Sequence, residues 1–174
     1  LQAVLLAAAL CSGTDAHARG TAAGTQIGNT ATAIYSIGGV TQPQVTSGPS
    51  GTFTVDNRVN LTVVANTANV SVIPGSTDRV LSFSVTNNGN TTQAYGLSVV
   101  SRATDSFDMT NIRIYRDNNN DGLLDGGDTL YANPTTFGNL VSDATFTVLV
   151  VADTPAGQPS GSTAVQDLVA TTYD

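Results

Sequence analysis

Residues 78–87 read DRVLSFSVTN, and their alternation decides the fold. Leu81, Phe83 and Val85 fall on one side of an extended chain, and Ser82, Ser84 and Thr86 on the other. That period of two is the pattern of a half-buried β-strand. Pro74-Gly75 breaks the chain before it, and Asn87-Asn88-Gly89-Asn90 after it is a hairpin turn signal. Working outward, AYGLSVV (94–100) alternates through Tyr95, Leu97 and Val99. On the other side, NRVNLTVV (57–64) alternates through Val59, Leu61 and Val63. Further along, NIRIYR (111–116) places Ile112 and Ile114 on one face, and ATFTVLVVAD (144–153) turns Phe146, Val148 and Val150 inward. STAVQDLVATTY (162–173) reads as a last strand. Short strands separated by turn signals every 8–12 residues or so predict a sandwich or barrel, with Leu81, Phe83, Val85, Leu97, Phe146 and Val148 in its core.

Composition agrees. The chain has 174 residues, 40% of them hydrophobic, enough to bury a core. All six basic residues are arginine and all thirteen acidic ones aspartate, with no lysine, glutamate or tryptophan. Lys and Glu are the usual fillers of exposed helix surface. Thr, Val, Ser and Asn take their place here, so the chain reads as all-β. The formal charge of −7 argues against nucleic acid as a partner.

The first residues read as an export signal. LQAVLLAAAL is an apolar run of leader length, too short for a membrane span, and Ala16-His17-Ala18 offers a small-x-small cleavage site. The expected organisation is a signal peptide over 1–18, an N-terminal strand or extended segment with linker over 19–50, and a β-sandwich domain over 51–174. Cleavage after Ala18 removes Cys11 and His17, leaving a secreted chain without Cys or His. Such a chain has no disulfide, no Ser-His-Asp triad, no thiol nucleophile, no Schiff-base lysine and no His/Cys zinc site. The reading is therefore non-enzymatic.

The stretch VIPGSTDRVLSFSVTNNGNTTQAYGLSVV (72–100) resembles the immunoglobulin-like domains of bacterial surface proteins, in which a Pro-Gly turn precedes a strand ending in VTNNGN or a close variant. It is also similar to camelysin/TasA-type secreted fibre subunits, which resemble it further in an AGT…A…Y segment behind the leader. The resemblance covers about thirty residues well. It implies an immunoglobulin-like (jelly-roll or Greek-key) β-sandwich at the cell surface.

One motif carries chemistry. Residues 116–130, RDNNNDGLLDGGDTL, fit the spacing of a calcium loop that takes oxygens from positions 1, 3, 5, 7, 9 and 12. Asp117, Asn119 and Asp121 fill the first three, Gly122 supplies the sharp turn, Leu123 offers its carbonyl, and Asp125 and Asp128 complete the set. The flanks are strand-like, which predicts a calcium-clamped β-hairpin loop rather than a helix-loop-helix hand. The alternative is a metal-free loop of Asx-turns.

Two functions follow. The first is a secreted structural protein, calcium-stabilised, that self-assembles into a surface fibre or matrix. Its N-terminal segment, with Gly24, Ile27, Ala31, Ala33, Ile34, Tyr35 and Ile37, either completes its own sandwich or adds as a strand to the next copy. The second is a calcium-dependent adhesin or carbohydrate-binding module with a surface glycan or protein as partner. The small number of aromatic residues and the lack of Trp weigh against it.

Overall fold

The computed structural model describes residues 20–48 and 51–173, so the expected leader and its cleavage site lie outside the described residues. Among the described residues every regular element is a strand.

The alternating segments form two sheets. One has five antiparallel strands in the order β11 (Thr129–Leu130), β10 (Thr110–Asp117), β12 (Thr145–Asp153), β8 (Arg79–Asn87), β7 (Leu61–Ala65). The other pairs β9 (Ala94–Ser101) with β13 (Gln166–Tyr173). The register between β8 and β12 sets Val85 opposite Phe146, Phe83 opposite Val148 and Leu81 opposite Val150. One shared core gathers Phe83, Val85, Phe146, Val148 and Val150 from the first sheet with Tyr95, Leu97 and Leu168 from the second. Phe137 and Leu140, on the loop before β12, close it. Two sheets meeting over one core is the arrangement of a β-sandwich.

Five of the six expected core residues are buried, and Leu81 is only half-buried. Leu149 and Val151, on the opposite face of β12, are buried as well. The central strand therefore reads as the continuous run VLVVA rather than as an alternation.

One expectation of connection is corrected, and one of two alternatives left open for residues 24–37 is not seen. Asn87–Asn90 does not close a hairpin, because β8 and β9 belong to different sheets. The turn instead carries the chain from one sheet to the other across the core. Nor do residues 24–37 complete the sandwich of their own chain. They fold back on residues 40–46 and 52–54 as a two-stranded ribbon outside both sheets. In it β1 (Gln26–Gly28) pairs with β6 (Thr52–Thr54), β2 (Thr32–Ala33) with β5 (Val45–Thr46), and β3 (Ser36–Ile37) with β4 (Val40–Thr41). Gly38 and Gly39, both at positive φ, make the tip.

Candidate functional site

The aspartate loop is a hairpin loop. Arg116 pairs with Thr129 and Tyr115 with Leu130, which leaves residues 118–128 to connect the strands. Asp117, at the end of β10, is 1% exposed and has no ion-pair partner among the described residues. Its two oxygens accept backbone N–H groups instead, from Asn120 at 2.6 Å and Gly122 at 2.8 Å. Both donors sit in the left-handed region, with φ of 58° and 76°, so the chain can curl around the carboxylate.

Around that turn the other expected ligands are drawn into one hydrogen-bonded set. The Asn119 amide nitrogen donates to Asp121 Oδ2 at 3.0 Å and to Asp125 Oδ2 at 2.9 Å. Asp121 Oδ1 accepts the Leu123 N–H, and Asp128 accepts the N–H groups of Asn118 and Asp125. The Leu123 side chain itself is exposed. Arg116, the nearest cation in sequence, turns away to the Phe137 carbonyl and the Phe146 ring. Four carboxylates are therefore balanced by amide dipoles alone. As they stand they are not one cage: among the described residues no three acidic, His or Cys groups are arranged to hold a metal ion. The donor set nevertheless consists of oxygens, the ligand type that hard divalent cations take.

The expected assembly residues all lie on the first limb of the ribbon. Ile27, Ile34, Tyr35 and Ile37 are exposed, as are Val40, Val45 and Phe53 on the second limb. Apolar side chains face each other across it, Ile27 with Phe53, Ala33 with Val45 and Ile37 with Val40. Residues 20–55 contain no charged side chain.

Sequence reasoning missed the node that roots this ribbon. Asn90 accepts the Arg58 N–H through its side-chain oxygen and donates its amide to the carbonyls of Thr21 and Asp56. Both limbs are thereby tied to the end of β8. Asn87, fully buried, donates to the Thr91 and Leu140 carbonyls and accepts the Gly89 N–H. The same four letters that signal a turn also build this polar knot.

No protein-family model, curated protein or solved structure matches this chain. Among the described residues no helix is long and apolar enough to cross a membrane.

Proposed function

We propose that the chain is an exported, non-enzymatic structural protein whose copies assemble into an extracellular fibre or matrix, built on an immunoglobulin-like sandwich with a calcium-stabilised loop. One observation carries the assembly: an uncharged ribbon holds its apolar side chains in solvent, outside both sheets. An isolated two-stranded ribbon is marginal in water, and contiguous exposed apolar surface marks a contact site. The resemblance of residues 72–100 to bacterial surface domains and fibre subunits supports the same reading.

Calcium fits the loop's chemistry. Asp117, Asn119, Asp121, Asp125, Asp128 and the Leu123 carbonyl would hold it, and the ion would supply the positive charge that the loop's own side chains lack. Rotating the Asn119 amide exchanges its nitrogen for its oxygen, which converts the donor to Asp121 and Asp125 into a ligand beside them.

Electron microscopy of the purified chain, with calcium and with chelator, tests the assembly. Fibres or sheets are expected with calcium. Monodisperse particles at every concentration would favour the calcium-dependent adhesin instead.

A further inference from the structure

At one end of the sandwich two polar side chains stand where alternation calls for apolar ones. Arg79 begins β8 on the face that Leu81, Phe83 and Val85 turn to the core, and Gln166 begins β13 on the face of Leu168. Both line a groove of about 780 Å³, a size typical of small-molecule clefts, whose apolar lining includes Leu81, Phe83, Phe107, Met109 and Val150. Leu81 stays half-buried there, while Val150 is sealed. Gln166 is 6% exposed, and its Oε1 accepts the Ser101 hydroxyl at 2.9 Å. Its Nε2, however, has no hydrogen-bond partner among the described residues. A buried donor without an acceptor is costly, so a ligand that brings one is favoured. Arg79 uses its Nε on the Thr77 carbonyl at 2.8 Å, and among the described residues no carboxylate pairs with it. The acids around it are committed elsewhere. Asp167, which shares the groove, is held by Arg102 through two hydrogen bonds of 2.6 and 2.9 Å, and Asp78 and Asp153 both face Arg113.

We infer that this groove binds a free alkyl carboxylate, with the head group on Arg79 and the hydrocarbon chain laid along the apolar lining. The inference is independent of the assembly reading. Chemistry selects the ligand. An ionised carboxylate carries acceptors and no donor, so it meets the open N–H groups of Arg79 and Gln166 and leaves nothing of its own unmet. The guanidinium fork also matches its two oxygens. A sugar would bring hydroxyl donors as well, and each of those would need an acceptor on burial. Charge narrows the choice further. Arg79 is the one cation that lines the groove, and the chain as a whole carries −7. That field opposes a multiply charged phosphate and an anionic lipid surface more than it opposes a single carboxylate. The half-buried apolar lining supplies the rest, because a hydrocarbon chain laid on it leaves water along its length.

Titration calorimetry of the full chain with dodecanoate, in chelator and below its micelle concentration, tests this. Saturable one-to-one binding is expected, and each methylene added from octanoate to dodecanoate should tighten Kd about fourfold. Dodecyltrimethylammonium, a chain of the same length with the opposite charge, should bind at least about tenfold more weakly. Arg79→Gln should weaken dodecanoate by about tenfold or more, and Arg79→Lys should recover part of the loss. Arg79 is exposed, and a thermal melt verifies that each variant folds. Val70→Trp, at an exposed position on the groove wall, should block the chain and serves as an independent variant. Absence of saturable binding overturns the proposal. So does equal affinity for the ammonium, or an Arg79→Gln variant that binds like wild type. Flotation with anionic lipid vesicles free of fatty acid separates the two sources of such a ligand. Wild type and Arg79→Gln should float alike, and a loss of flotation in the variant alone would make the groove a lipid-surface contact and overturn the free ligand.

Discussion

Asn87 shows how much one polar side chain can hold. It sits at zero exposure where the chain leaves the five-stranded sheet, and it satisfies two carbonyls and one N–H. Asn87→Ala strands these groups without water, each at about 1–3 kcal/mol. A loss of about 3 kcal/mol in urea unfolding is expected, against less than about 0.5 kcal/mol for exposed Asn139→Ala. Gly89 is fixed by the same knot: a Cβ there would lie 2.5 Å from the Arg58 carbonyl oxygen and 3.0 Å from Asn87 Oδ1. None of this was legible in NNGN, because Leu140, one of its partners, lies fifty-three residues away. The aspartate loop was more legible, since its spacing is local and its hairpin depends on adjacent strands. Its prediction is thermodynamic. Calcium at a hundredfold excess over Kd should raise stability by about 2.7 kcal/mol, visible as a higher Tm. Asp121→Ala should abolish most of that gain, and equal melting curves in calcium and chelator would remove the metal from the proposal.

Strands were legible one at a time, and their partners were not. Leu81, Phe83 and Val85 announce β8 by alternation, but alternation is silent about which strand lies alongside. The nearest strand in sequence, β9, turned out to sit across the core, and β12, some sixty residues on, is the hydrogen-bonded neighbour. Packing then grades β8 along its length. Phe83→Ala, at a buried position, should cost about 3–5 kcal/mol, while Leu81→Ala, at a half-buried one, should cost less than a buried Leu→Ala. Acid probes the strand ends. Asp153 is held below the ordinary aspartate value by the Asp78 N–H, with Asn111 and Arg113 adding to it. Asp167 is held down by Arg102, which ties the β9 end of the second sheet to β13. A carboxyl whose folded pKa lies below its unfolded one adds stability that is complete above the unfolded value, about 3.9, and lost as pH falls through the folded value. Tm should therefore hold from neutral pH to about pH 5 and fall below about pH 4. Asp153→Asn and Asp167→Asn should each flatten that fall; an unchanged acid limb in both would show that other carboxylates govern it.

At the scale of the whole molecule, charge and apolar surface are kept apart. The ribbon is uncharged and holds exposed apolar side chains, while the aspartates lie on loops and strand ends of the sandwich. Copies that meet through the ribbon must bring two bodies of like negative charge together without an ion pair from it, because residues 20–55 carry no charged side chain. Long-range repulsion then opposes a short-range apolar contact, and the two respond differently to salt. Raising ionic strength from about 0.01 M to about 0.15 M shortens the screening length from about 30 Å to about 8 Å, which weakens the repulsion and leaves the apolar term intact. Association of the wild type, followed by light scattering, should therefore strengthen as sodium chloride is added. An interface built on salt bridges would weaken over the same range, and that outcome would move the contact away from the ribbon. Calcium adds a separable effect. If it binds the loop, each copy loses two units of negative charge, so calcium should promote association more than sodium at matched ionic strength. Asp121→Ala should erase that difference while leaving the sodium response in place.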